Sequence, residues 1–385
     1  MTPRRLSRSR ALALSFTAAV SVGAVVAAPI AQAAPVQTVP QQPGYTITGY
    51  NVGKGNYRGA IDAQTGDLWL SNASPLSGAS ESSILQLDPN TMHVKKRIKI
   101  TRKVDTGGHG TIAAAYDINV PKTGNTVWTT GAPASEVSVW DKNTGKELKT
   151  ITGVDHAHEV QFAEGLGVAM VSTKPGAVEF FDLNTFAPLG EAKFPVGGQQ
   201  LGSGIAVTDD GPSGATITVT SYYSALTQFR ITRDGGGVQS KVLWNTRQAG
   251  GSQGHGSIVA DTRTNRVYVN DLYGGRVAAY DLRTGKHIAD VTTGPSTNSM
   301  MIFHGKVYAA NYFAGYISVI DQKTLGVTRL ITTGLMPNQL VPWKKNTFLV
   351  VDKASSVAEL AGSNLGVRSA PTLGTDHVSK VTTNN

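Results

Sequence analysis

The sequence contains no cysteine and few charged residues. Without cysteine the chain has no disulfide bond, no thiolate metal ligand and no cysteine nucleophile. Only 16% of the residues are charged, whereas 40% are hydrophobic, which is enough for a sizeable core and excludes a disordered protein. Beyond the first 30 residues no run reaches the roughly 18 uninterrupted apolar residues that a membrane-spanning helix needs. Core packing alone must therefore stabilise the fold.

Residues 1–33 have the features of a secretory signal peptide. Four arginines lie within the first ten residues, an apolar run follows over 11–30, and Ala31-Gln32-Ala33 is a typical cleavage site. These four arginines account for nearly half of the net charge of +9, because the rest of the chain has 31 basic and 26 acidic residues and a net charge of +5. We therefore expect a secreted protein, and the charge alone gives no argument for nucleic-acid binding.

One pattern recurs along the remaining chain. A short alternating run ends in an acidic residue and a polar turn, and a second apolar run precedes it by about ten residues. The five clear copies end at Asp88, Asp141, Asp182, Asp281 and Asp321, and two degenerate copies are centred on Arg230 and Glu359. The spacing is about 45 residues. The Asp side chain can accept hydrogen bonds from backbone N–H groups two or three residues further on, which closes the turn.

Each repeat predicts four strands, and the seven repeats predict an all-β chain with the fold of a seven-bladed β-propeller of four-stranded antiparallel blades. Two stacked β-sandwiches are the alternative, but the equal spacing argues against them. The predicted domains are a Pro/Gln linker at 34–44, the propeller at 45–373 and a polar C-terminal tail at 374–385. Either Tyr45–Val52 or Val367–Leu373 could close the ring, and the sequence does not decide between them.

The repeats Tyr268-Val269-Asn270-Asp271 and Tyr308-Ala309-Ala310-Asn311, each followed by an Asp-x-x-Thr turn, resemble YVTN repeats. Such repeats are found in exported seven-bladed propellers of the YncE-like family. The resemblance covers about residues 45–370. It implies the architecture and makes nucleic acid a candidate partner, since members of the family have been associated with DNA. It transfers no cofactor, because the quinones and metals of related propellers need residues that are not matched here.

The connections between successive blades predict a polar ring at one mouth of the central channel. Each connection opens with Gly followed by polar residues, and Gly108–Ile112 matches Gly254–Ile258 as Gly-His-Gly-(Thr/Ser)-Ile. Four histidines fall in three of these connections: His109, His156, His158 and His255. With Glu159 or Asp155 they could bind a divalent metal such as Zn²⁺ with an open position for water. The alternative, which we favour, is a ring of side chains that hydrogen-bond to the backbone and to channel water.

Aromatic and cationic residues follow the second strand of several blades, on the same predicted face. Tyrosine rings beside cations suit a stacking platform for nucleobases or sugars, whereas in a purely structural role they would cap each blade. The predicted ligand-binding residues are Arg58, Gln199, Tyr223, Tyr273, Asn298, Tyr312 and Asn338. The densest basic run, His93–Lys103, falls on an outermost strand, where lysine typically prevents edge-to-edge aggregation.

The sequence therefore predicts a secreted, monomeric binding module with its ligand site at the channel mouth. The ligand is a polyanion, a glycan or a protein. A metal-dependent hydrolase or lyase that uses the histidines is the alternative function. No Gly-x-Ser-x-Gly, His-Glu-x-x-His or phosphate-loop motif is present, so no catalytic residue is assigned.

Overall fold

Four-stranded antiparallel sheets repeat along the chain in the computed structural model. It describes residues 42–53, 55–72, 82–102, 113–174, 176–195, 202–222, 225–247, 254, 256–334, 336–353 and 376–384, and the backbone of 35–36, 103–104 and 111–112. The predicted signal peptide lies outside the described residues. Apart from two 3₁₀ turns, at Ala132–Ala134 and Glu164–Leu166, the described secondary structure is β-strand. None of the helices in this part of the chain has the length and apolar character needed to cross a bilayer.

The strands follow one another from the centre of the ring outwards. Two strands precede blade 1: β1 (Pro35–Val36) and β2 (Tyr45–Gly53). Blade 1 contains β3 (Asn56–Ile61), β4 (Leu68–Asn72), β5 (Ser82–Asp88) and β6 (His93–Ile100). A small hairpin of β7 (Lys103–Val104) and β8 (Thr111–Ile112) leads to blade 2, with β9 (Ile118–Asn119), β10 (Thr126–Gly131), β11 (Glu136–Asp141) and β12 (Glu147–Thr152). Blade 3 contains β13 (Val160–Ala163), β14 (Val168–Thr173), β15 (Ala177–Asp182) and β16 (Pro188–Lys193).

The second half of the ring repeats this order. Blade 4 contains β17 (Gly202–Gly211), β18 (Gly214–Ser221), β19 (Ala225–Asp234) and β20 (Gly237–Arg247). Blade 5 contains β21 (Ile258–Asp261), β22 (Arg266–Asp271), β23 (Arg276–Asp281) and β24 (His287–Thr292). Blade 6 contains β25 (Thr297–Phe303), β26 (Lys306–Asn311), β27 (Tyr316–Asp321) and β28 (Val327–Thr332). Blade 7 begins with β29 (Pro337–Lys344) and β30 (Thr347–Asp352) and is completed by β31 (Asp376–Thr383). The seven sheets confirm the predicted propeller.

The recurring Asp residues close turns as predicted. Asp141 ends β11, and its Oδ1 accepts hydrogen bonds from Thr144 N, at 2.6 Å, and Thr144 Oγ1, at 2.9 Å. Gly145 then takes a φ of +71°, which glycine adopts without strain. In blade 4, Arg230 was wrongly placed at this turn. The strand continues to Asp234, whose Oδ1 accepts from Gly236 N at 2.9 Å.

The two ends of the described chain close the ring together. In blade 7 the order is β29-β30-β31-β2-β1, and β2 pairs antiparallel with β31 from Tyr45↔Thr383 to Gly53↔Asp376. The predicted polar tail at 374–385 is therefore wrong, because its alternating residues pack Val378 and Val381 into the core. Strand β31 is also the third strand of blade 7, a place for which the sequence predicted the repeat copy around Glu359. Glu359 and the competing segment Val367–Leu373 lie outside the described residues.

The hydrophobic core lies between the blades. Seven clusters of buried residues each join two neighbouring blades, including the pair formed by blades 7 and 1. Between blades 2 and 3, for example, the fully buried ring of Trp128 packs edge-on against Phe162 and Phe186, with centroid distances of 6.1 and 5.6 Å. Neighbouring blades thus supply the stabilisation that a chain without cysteine cannot draw from disulfides.

The basic run lies on the outermost strand of blade 1, as predicted. Its side chains interact within the molecule, since Lys95 Nζ lies 2.6 Å from Asp67 Oδ1 and Lys96 Nζ donates to the carbonyl oxygen of Lys142 at 2.6 Å. These cations protect an exposed sheet edge.

Candidate functional site

The inner strands of the seven blades carry a matching residue at the channel mouth, which we call the ring position. In several blades its side chain accepts a hydrogen bond from a backbone N–H of the next inner strand. Ser257 Oγ accepts from Met300 N at 3.1 Å, and Ser299 Oγ accepts from Leu340 N at 3.2 Å. Counting from these bonds, the ring positions of blades 1 to 7 are Arg58, Asp117, Glu159, Gly204, Ser257, Ser299 and Gln339.

Three consecutive ring positions are charged: Arg58, Asp117 and Glu159, which we call the charged arc. Asp117 Oδ2 accepts from Val160 N at 2.9 Å, and Glu159 Oε1 accepts from Ile205 N at 3.3 Å, so both acids make the same bond between blades as the serines. Arg58 has no acceptor and cannot. Within the described part of the chain no carboxylate oxygen lies within 4 Å of its guanidinium, which leaves its donors available.

A cavity of about 190 Å³ opens beside the charged arc. It is lined by Tyr57, Arg58, Tyr116, Asp117, Ala132, Pro133, His156, His158 and Glu159. The three residues of the arc also line the central channel, a space of about 550 Å³ bounded by the inner strands. The arc therefore stands between the mouth and the channel.

Burial dominates the electrostatics of the arc. It raises the pKa of Asp117 to about 6, opposed by the charge of Arg58. It raises the pKa of Glu159 to about 7, and the charge of Asp117 adds to this effect while Arg58 opposes it. Because each carboxylate disfavours ionisation of the other, the two titrate as a pair. The arc therefore combines the Arg58 guanidinium with two acids whose pKa values lie close to neutral pH.

Two of the four predicted histidines, His156 and His158, are described and lie next to the arc. Burial lowers the pKa of His158 to about 3, helped by the charges of Arg58 and His156, and burial also lowers the pKa of His156. The two imidazole rings stack with their centroids 6.5 Å apart. The Nδ1 atom of His158 is buried and has no hydrogen-bond partner among the described residues.

The described residues contain no group of three His, Asp or Glu side chains arranged to hold a metal ion. His109 and His255 lie outside the described residues, so the metal site stays a prediction. The predicted match of Gly108–Ile112 with Gly254–Ile258 is out of register, however. Ile112 belongs to the separate β7–β8 hairpin, and it is Ile118 that takes the position of Ile258 at the start of an inner strand.

The other predicted ligand residues have different positions. Asn298 and Asn338 connect blades, because Asn298 Nδ2 donates to Asn338 Oδ1 at 2.9 Å and Asn338 Nδ2 donates to the carbonyl oxygen of Tyr57. Tyr273 stands on the mouth face and is 69% exposed. Tyr312 is half-buried, and burial raises its pKa, with a further contribution from Tyr57. Gln199 and Tyr223 lie outside the described residues.

Sequence reasoning missed Asp117 and Tyr116. Aligning the ring positions would have found them, because blades 1 to 3 carry Tyr57-Arg58, Tyr116-Asp117 and His158-Glu159 at one register. Strand β9 has only two residues and shows no alternation that could set this register. The rings of Tyr57 and Tyr116 meet edge-on at 5.0 Å. Lys353 Nζ lies 3.9 Å from the centroid of the Tyr57 ring. Burial lowers the pKa of Lys353.

Comparison with known proteins supports the fold. No protein-family model matches the chain, and no curated protein matches it in sequence. Among solved structures, 1589 chains match, and one of them is the crystal structure of BamB from Moraxella catarrhalis. That match has a TM-score of 0.56 and 13% identity, and it covers 91% of this chain and 98% of BamB. The chain is thus a seven-bladed β-propeller that resembles BamB in fold.

Proposed function

We propose that the protein is a binding module that holds a small carboxylate-bearing ligand in the cavity beside the charged arc. The observation that carries the proposal is the arc itself, a cation and an acid pair at three ring positions where the other blades have Gly, Ser, Ser and Gln. Arg58 would pair with the ligand carboxylate, and Asp117 and Glu159 would accept hydrogen bonds from its hydroxyl or amino groups.

The charged arc destabilises the fold, although the hydrogen bonds between blades do not require charged side chains. Ser257 and Ser299 make the bond between blades with a neutral side chain, whereas burying two carboxylates beside each other is unfavourable. Residues that destabilise a fold are typical of binding sites, where the ligand compensates for the cost.

The cavity volume and its lining limit the ligand to one small ring or chain. A space of about 190 Å³ accommodates a molecule of the size of a monosaccharide acid. Tyr57 and Tyr116 form an aromatic wall next to the charged groups. Nucleic acid is disfavoured at this position because it carries several phosphates, of which Arg58 can pair with one, and Asp117 and Glu159 would repel the others.

Calorimetric titration with small carboxylates, D-glucuronate first, tests the proposal. We expect saturable binding that Arg58→Gln weakens at least about tenfold, because a charge-assisted bidentate contact is lost. Arg263→Gln, which removes an exposed arginine from blade 5, is the matched control and should leave the affinity unchanged. Equal affinity of Arg58→Gln and the original protein, or no binding of any small carboxylate, would contradict the proposal.

We also infer that the chain is an exported member of the YVTN/YncE-like propellers. The YVTN-type segments at 268–271 and 308–311 fall on the second strands β22 and β26, and Asp281 and Asp321 close the turns that follow. N-terminal sequencing of the protein recovered from the medium of expressing cells is the test. We expect a mature chain that begins at Ala34.

A further inference from the structure

We propose that the carboxylate in the cavity is the acidic end of an oligosaccharide, and that aromatic side chains guide the rest of this chain from the blade rims to the charged arc. This inference rests on the proposed function and names the class of its ligand. It adds a second set of contact residues, on blades 5 and 6, that lie outside the cavity.

The aromatic residues stand at the mouth face, on the turns between the second and third strands. Phe313 is 64% exposed on blade 6, and Tyr273 has the equivalent turn on blade 5. The hydroxyl of Tyr273 lies 2.8 Å from that of Tyr222 on blade 4. These turns form an exposed aromatic rim over three adjacent blades.

Aromatic side chains lie next to the rim and also at the cavity. The centroid of the Phe313 ring lies 5.1 Å from that of the preceding residue, Tyr312. Burial raises the pKa of Tyr312, and Tyr57 adds to this effect. Tyr57 contacts Tyr116 at the cavity wall and carries Lys353 on its ring face. Aromatic rings therefore lie both at the exposed rim and at the wall of the cavity beside the charged arc.

The exposure of these rings argues against a purely structural role. Tyrosines that pack inside the blades, such as Tyr268 and Tyr280, are fully buried. Phe313 has no polar atom that would favour water, yet most of its surface is solvated. Exposed aromatic groups on adjacent turns are typical of a binding surface.

The neighbouring charges select a glycan over other chain-like ligands. A sugar presents C–H groups to an aromatic ring and hydroxyl donors to carboxylates, so it matches both the rim and the acid pair. A nucleic acid would bring a phosphate at every residue toward Asp117 and Glu159. A peptide that binds by strand addition would need a free sheet edge, and the edge strands lie at the outer rim of the blades, away from the mouth. Arg58 provides the cation for one terminal acid.

Binding to an array of neutral and uronate-ended oligosaccharides of one to six sugars tests the proposal. We expect binding to the uronate-ended chains, increasing with length. The double variant Phe313→Ala/Tyr273→Ala should bind chains of three or more sugars about tenfold more weakly, because two contact rings are lost. Its affinity for D-glucuronate alone should stay within about twofold of the original protein, since neither ring lines the cavity.

The matched control is Ile288→Ala/Leu330→Ala, which removes two similarly exposed apolar side chains from the outer strands of blades 5 and 6. It should bind the array like the original protein, and circular dichroism should show that both double variants are folded. If D-glucuronate binds but no longer chain gains affinity from the rim, the oligosaccharide inference fails and the proposed function stands. If D-glucuronate and the other small carboxylates fail to bind, both fail. Preferred capture of single-stranded DNA or of a peptide probe at the rim would also overturn the inference.

Discussion

Glu159 should make the protein less stable as the pH rises through neutrality, and Glu159→Gln should remove this effect. The pKa of Glu159 is raised from 4.5 to about 7 by burial. The folded protein therefore binds more protons than the unfolded chain between these values. Because stability falls with pH wherever the folded state binds more protons, the unfolding free energy declines between pH 4.5 and 7 and remains low above that.

The magnitude follows from the shift. Each pKa unit corresponds to about 1.4 kcal/mol, so a fully buried carboxyl raised by this amount costs about 3 kcal/mol at pH 8. Part of this cost is shared with Asp117 and offset by Arg58, which face the same carboxylate. Glutamine keeps the oxygen that accepts from Ile205 N but carries no charge. We expect Glu159→Gln to gain about 2 to 3 kcal/mol at pH 8 and close to nothing at pH 4.5.

Urea unfolding at several pH values, followed by tryptophan fluorescence, measures this difference. Glu191→Gln is the control, because Glu191 is exposed and forms a surface ion pair with Lys193. Its stability should follow the pH profile of the original protein. A Glu159→Gln variant that is no more stable at pH 8 than at pH 4.5, relative to the original protein, would refute the argument that burial controls this carboxyl.

Three further predictions concern the fold and the histidines. Trp128→Ala removes a fully buried ring between blades 2 and 3 and should cost about 3 to 5 kcal/mol in urea unfolding, whereas Leu148→Ala, on an exposed outer strand, should cost less than about 1 kcal/mol. Deleting residues 376–385 removes the partner of both β2 and β30, so limited proteolysis should cleave the N-terminal strand and blade 7 far faster than in the intact chain. If the four histidines hold a metal ion, elemental analysis should find about one equivalent, and His156→Ala/His158→Ala should release it. Content below about 0.2 equivalents in the purified protein would exclude the site.

Much of the architecture was accessible from the sequence because it rests on local chemistry. The Asp at the end of the third strand accepts hydrogen bonds from the residues that follow it in several blades, and a turn needs only neighbouring residues. The residue four positions after the Asp has a positive φ, and it is Gly145 or Gly285 in two blades but Met92, Phe186 or Leu325 in three others. The failures occurred where local patterns were weak. Strand β9 is too short to alternate, and β31 consists of residues whose polar composition resembles a tail.

The candidate site was only half accessible for the same reason. Arg58, His156 and His158 stood out as polar residues in the blade connections, and they do meet at one cavity. Asn298 and Asn338 looked alike in sequence but connect blades instead. Nothing local distinguishes an amide that binds the next blade from a side chain that faces a ligand, because the difference depends on residues about 40 positions away.

The amino-acid sequence by itself determined the number of blades, the strands and turns within them, and the dependence on packing in a chain without cysteine. Hydrophobic alternation and turn chemistry specify these features locally. Only the tertiary structure decided that β31 completes the ring beside β2. It also decided that Arg58, Asp117 and Glu159 occupy adjacent ring positions. Closure and burial bring together residues that are far apart in the chain, and burial is what changes the pKa of the two acids.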